Sequence, residues 1–119
     1  MKETIIIISI LLIIFGGAIY ARNFLKKSSE EIIIAKENNE RERVKQLSNE
    51  IYEKWEEMDK TWSIIVLHDE LDNIQISLTK MKAQIEEGEL EESLEELETT
   101  KFLINHIREK EKFNLKNIF

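Results

Sequence analysis

The segment His68-Asp69-Glu70-Leu71-Asp72-Asn73-Ile74 is the most unusual run of chemically able side chains in the sequence. On a helix, His68 and Asp72 share a face at i and i+4, a spacing able to hold one metal ion. Asp69 and Asn73 form the adjacent pair. His106 is the only other histidine, and an antiparallel helix would carry it back toward His68. The pattern points to a divalent-ion site with His68, Asp72 and His106 as ligands, or to a pair responsive to pH. The competing expectation is structural, because polar residues where two helices meet commonly cap or bridge them. Two residues on one helix fix no third ligand, so the structural role is preferred. No cofactor is expected, and the metal set stays an alternative. His68, Asp69, Glu70, Asp72, Asn73 and His106 are the expected interaction or structural motif.

Catalysis finds little support. The chain has no glycine-rich phosphate loop and no nucleophile elbow. Any acid–base pair drawn from 24 acidic residues would be arbitrary. The absence of cysteine excludes disulfides, thiolate metal sites and cysteine nucleophiles. Glu86–Glu98 holds eight glutamates and no basic residue. It could dock a basic partner, but a solvated helix face around Leu90, Leu94 and Leu97 is the simpler reading. No enzyme is expected.

The elements that must position these groups are helices. Proline is absent, and Gly88 is the only glycine beyond residue 27, so the turn chemistry that strands need is missing. Val44, Leu47, Ile51, Trp55, Met58, Trp62 and Ile65 step by three or four, a helical stripe. Leu71, Ile74, Leu78, Met81 and Ile85 repeat it, as do Leu90, Leu94, Leu97, Ile104 and Ile107, with Lys101 in the gap. Trp55 and Trp62, seven apart, are expected as core anchors. Ser28 and Glu31 fit a capping box opening a short helix to Glu37, and Asn38-Asn39 suits a turn. A long helix should follow to about Leu67. The stripe slips between Ile65 and Leu71, which predicts either a tight turn or a rotated face. Helix three should end near Glu86 with Gly88 as its cap region. Helix four should run from Leu90 to His106, with Phe113, Leu115, Ile118 and Phe119 folding back on the bundle.

The remaining feature is Thr4–Ala21, an uncharged run of 18 residues with eight isoleucines. As a helix it spans about 27 Å, close to a hydrocarbon core of about 30 Å. An uncleaved anchor is preferred over a signal peptide, although Gly16-Gly17-Ala18 offers small residues for cleavage. Arg22, Lys26 and Lys27 suit the membrane interface. They favour a cytoplasmic domain by the positive-inside rule, whereas the signal-like start favours export, so the side stays open. Gly17 and Ala21 form a small-xxx-small pair able to bring two spans together, though a helix that merely ends in small residues is preferred.

Residues 1–27 carry Lys2, Arg22, Lys26 and Lys27 against Glu3. Of the 17 basic and 24 acidic residues in the chain, the remainder therefore holds 13 and 23. So acidic a domain repels nucleic acid and anionic lipid, and neither DNA nor RNA is an expected partner.

In the order of its features the chain resembles the bacterial family known as domain of unknown function 4363. The matching pieces are Ile5–Tyr20, Trp55 with Trp62, His68–Ile74, Lys101–Ile107 and the terminal Asn117-Ile118-Phe119. The resemblance implies a Gram-positive setting and an acidic helical domain behind a hydrophobic segment. It also implies a multispanning membrane protein as partner. It carries over no activity and no catalytic residue.

The expected fold is all-α, a single N-terminal transmembrane helix followed by a small antiparallel helical bundle. The expected domains are an anchor with a basic flank at 1–27 and an acidic bundle at 28–119. The expected role is a non-enzymatic protein-interaction or accessory module at the cell membrane, single-pass. The alternatives are the ion or pH sensor and a structural homodimer, whose parallel coiled coil would use the 44–65 stripe.

Overall fold

The computed structural model describes residues 1–118, and the side chains of all of these except Asn114, Leu115 and Ile118. Four helices follow one another: α1 (Lys2–Glu37), α2 (Arg41–Trp62), α3 (His68–Glu86) and α4 (Leu90–Ile118). Each packs on two neighbours, in the closed order α1–α2–α3–α4–α1. Short connections make consecutive helices antiparallel. The molecule measures 56 × 22 × 20 Å, and the 36 residues of α1 run about 54 Å, its whole length.

The stripes of α2 and α3 form the core as the spacing predicts. Val44, Leu47, Ile51, Trp55 and Trp62 are buried on α2, and Leu71, Ile74, Leu78, Met81 and Ile85 on α3. The slip between Ile65 and Leu71 is a turn over 63–67, so α2 ends at Trp62 rather than near Leu67. At the far end of α3, Gly88 adopts φ +81, a conformation that carries a steric cost for residues with a Cβ. Asn39 takes φ 57 between α1 and α2, within the tolerance of asparagine for left-handed turns.

Three local expectations are corrected. Ser28 opens no helix, because α1 passes unbroken through residues 27 and 28. Ser28 and Ser29 are instead buried on its inner face, and the Ser29 hydroxyl donates to the Leu25 carbonyl at 2.8 Å. A mid-helix serine that can back-bond this way needs no cap. On α4 the buried face is Ser93, Leu97, Thr100, Ile104 and Ile107. Thr100 fills the gap in the apolar stripe where Lys101 was expected, and its hydroxyl donates to the Glu96 carbonyl at 2.9 Å. Helix α4 also continues past His106 to Ile118, so no separate tail folds back, and Phe113 lies exposed on it. The expected packing of Leu115, Ile118 and Phe119 lies outside the described side chains.

The N-terminal apolar run does two jobs. Its outward side chains, including Ile5, Ile6, Ile8, Leu12 and Ile13, are exposed, whereas Leu11, Ile14, Ala18 and Ala21 are buried. Gly17 lies under the Trp62 indole, and a Cβ there would stand 3.0–3.3 Å from three indole atoms. The small-residue pair at Gly17 and Ala21 thus serves packing within the chain. Beyond this contact α1 continues for about 22 Å toward its N-terminus.

The two adjacent glycines give a paired test. Gly16 has open space where a Cβ would go, so Gly16→Ala should stabilise the fold by about 0.5–1 kcal/mol through helix propensity. Gly17→Leu should destabilise it by about 1–3 kcal/mol, since the core must overpack around Trp62. Thermal unfolding followed by circular dichroism in detergent micelles separates the two signs.

Candidate functional site

Helix α3 begins at His68 because the apolar turn before it ends at Leu67, and Asp69 and Glu70 favour its first turn. Leu71 and Ile74 point into the core, which turns the polar residues between them outward. His68 Nε2 stands 3.9 Å from Asp72 Oδ1, with the two side chains 83% and 58% exposed. An ion pair that open to water contributes little stability.

The motif divides when folded. Glu70, Asn73 and His106 line one shallow cleft between α3 and α4, together with Phe102 and Leu103, with a volume of about 270 Å³. Phe102 and His106 stack with ring centroids 6.4 Å apart and planes at 18°. His68, Asp69 and Asp72 are not part of this lining and face solvent. Among the described residues no group of three or more histidine and carboxylate side chains is placed to hold a metal ion.

Beside the cleft stands a residue that no sequence motif marks. Lys110 Nζ reaches Glu70 Oε1 at 3.3 Å, and the Glu70 side chain is only 16% exposed. The pair ties the start of α3 to the distal part of α4. Lys110 lies 40 positions from Glu70, so no local spacing announces it. The available signal was the absence of glycine and proline after His106, which lets α4 continue to it.

A second polar cluster joins α2 to α3. Trp55 Nε1 donates to Gln75 Oε1 at 2.6 Å, while Gln75 Nε2 donates to the Tyr52 hydroxyl. The Thr79 hydroxyl donates to the Gln75 carbonyl at 2.8 Å, and Lys82 Nζ sits 4.8 Å from the Tyr52 ring centroid. The indole N–H is thereby paired beside the core, as a buried tryptophan requires. These groups orient the helices and include no nucleophile with a base beside it.

A second cleft, about 460 Å³, lies at the other end of the bundle among Ala35, Lys36, Arg41, Val44, Ile85 and Leu90. Lys36 is engaged there with Glu91 at 3.5 Å. Arg43 with Glu31 at 3.5 Å and Lys45 with Glu86 at 3.6 Å bridge neighbouring helices nearby. Part of the acidic run is thus spent on pairs within the chain.

Gln75→Leu should cost about 1–3 kcal/mol, because the Trp55 indole N–H loses its acceptor in a part-buried site. His68→Ala should change stability by less than about 0.5 kcal/mol, as expected for an exposed residue. Urea unfolding followed by tryptophan fluorescence reads both.

No curated protein and no solved structure matches the chain. The comparison with protein families matches residues 20–118 to Domain of unknown function (DUF4363). That match takes in the tryptophan pair, the His68 segment and all of α4. It begins at Tyr20, so nearly all of the apolar half of α1 lies outside it. Covering most of the sequence, it establishes that the chain belongs to the DUF4363 family.

Proposed function

We propose that this protein is a non-enzymatic, membrane-anchored helical module that binds another protein at the cell membrane. The observation that carries the reading is the two-sided character of α1. Residues 2–9 are exposed all round, Ile5, Ile6, Ile7 and Ile8 among them, and one side stays bare onward through Leu12 and Ile13. The other side carries Leu11, Ile14 and Ala18 into the fold. In water an apolar patch of this kind is a liability, and it usually marks a membrane or protein contact. The helix is long and apolar enough to cross a bilayer. Tyr20 and Phe24, with ring centroids 6.3 Å apart, lie where an aromatic belt would meet the headgroups, beside Arg22, Lys26 and Lys27.

The anchor and the bundle are one continuous helix, so the bundle is held at the membrane surface without a flexible linker. The groove of Glu70, Asn73, Phe102 and His106 is the face offered to a protein partner. It combines an exposed aromatic stack with polar groups at its rim, the composition that protein interfaces favour. A multispanning membrane protein fits this reading, since a short rigid attachment confines contacts to the bilayer surface.

Attachment is tested by flotation with phosphatidylcholine vesicles. The full chain should float and resist extraction by alkaline carbonate. Leu12→Lys with Ile13→Lys should release it, because each lysine costs about 2.5–3.5 kcal/mol near the centre of a span. Both residues are exposed, so the bundle itself should stay folded. Crosslinking in native membranes tests the partner. The wild-type chain should capture a membrane protein, and Asn73→Ala with His106→Ala should lower the capture several-fold. Capture unchanged by that double variant would remove the groove from the proposal.

A further inference from the structure

The three turns of the bundle differ in kind. The α1–α2 turn is Asn38-Asn39-Glu40, and the α3–α4 turn is Glu87-Gly88-Glu89. Both are polar, as turns facing water are, and both lie at the end where Lys36 meets Glu91. The α2–α3 turn, at the opposite end, reads Ser63-Ile64-Ile65-Val66-Leu67. Val66 is buried and Ile65 half-buried, so these two hold the turn to the core. Ile64 and Leu67 point away from it, 83% and 62% exposed.

The position of this turn is fixed by the residue before it. Trp62 closes α2 and rests on Gly17, so the turn stands beside α1 near Gly17. Ala21, the last residue of the uncharged run, lies four residues further on, about 6 Å along the helix. The turn is thus level with the end of the segment that can enter a bilayer. Phe113 is exposed on the distal part of α4, which runs toward the same end past the Lys110–Glu70 pair. Lys112 and Lys116 accompany it, with stems long enough to keep their charges among headgroups.

We propose that the α2–α3 turn is a second membrane contact, with Ile64 and Leu67 inserted at the boundary between headgroups and hydrocarbon. The inference rests on the membrane attachment proposed above. It adds an orientation: the bundle stands upright on its apolar turn, and the two polar turns face away from the bilayer. The occupant is lipid because the turn stands, through Trp62 on Gly17, at the level where the apolar run of α1 would leave the hydrocarbon. Two contacts separated across the base of the bundle would also resist tilting about α1, which a single helix does not.

The chain has no cysteine, so Ile64→Cys supplies one thiol for an environment-sensitive fluorophore at an exposed position. The full-length variant is reconstituted into phosphatidylcholine vesicles. A second variant, Glu89→Cys, reports from the opposite end. The expected result is a blue-shifted emission at position 64, lost on adding lipid with a nitroxide near the headgroup, and a water-like emission at position 89. If the chain floats with the vesicles while the label at 64 keeps its water-like emission, the turn proposal is overturned and the attachment stands. A blue shift at 64 that nitroxide lipid does not quench would mean that a second copy covers the turn, which also overturns it. A chain that does not float overturns both.

Discussion

The Trp62 indole rests on the one face of α1 where Gly17 has no side chain, and the arrangement of the molecule depends on that contact. An indole is the largest side chain available, and a glycine is the only residue that leaves it room against a helix backbone. Together they hold the apolar half of α1 against the end of α2. They also set where the α2–α3 turn lies and where α3 can start. The rest of α1 is adapted to the same close approach, with Ala18, Ala21, Ser28, Ser29 and Ala35 along its buried face. Helix α4 answers with Ser93 and Thr100. Small side chains at these positions let helices pack closely, and their hydroxyls bond back to their own helices at little cost.

Because α1 belongs to the bundle, the apolar run is not a detached stalk. Its inner residues contribute to the core while its outer residues stay bare. A bare face of isoleucine in contact with water is unfavourable in proportion to its area, which is the physical argument behind the membrane attachment proposed above. The charge pattern agrees along α4. Its first eleven residues hold Glu91, Glu92, Glu95, Glu96 and Glu98 and no base. The cations Lys101, Arg108, Lys110, Lys112 and Lys116 follow toward the other end. The acidic end therefore lies away from the apolar half of α1, beside Lys36.

The chemistry-bearing residues were legible as a set but not as a site. Sequence alone could pair His68 with Asp72, since helical spacing places i and i+4 side by side. It also anticipated that α4 would return past α3. It could not tell which residues of the two helices would meet, because that depends on the rotation of each about its axis. The rotation of α4 is fixed by Thr100 rather than Lys101 facing inward. It brings His106 to Glu70 and Asn73 in the cleft, whose lining leaves out His68 and Asp72. Gln75 and Tyr52 escaped notice for the same reason: each is an ordinary polar or aromatic residue until another helix supplies its partner.

The amino-acid sequence by itself determined the helical class, the stripes of α2 and α3, the turns at Asn38-Asn39 and Gly88, and the single uncharged run. Each follows from interactions within a few residues of the chain, namely periodicity, backbone freedom and the absence of proline. Tertiary structure alone decided that the apolar run and the bundle share one helix, α1, since nothing local distinguishes a buried Ser28 from a capping one. It also decided that Gly17 serves Trp62, that Lys110 holds Glu70, and that Ile64 and Leu67 are left uncovered. Those outcomes rest on contacts between residues about forty or more positions apart, where packing volume and helix rotation replace local preference.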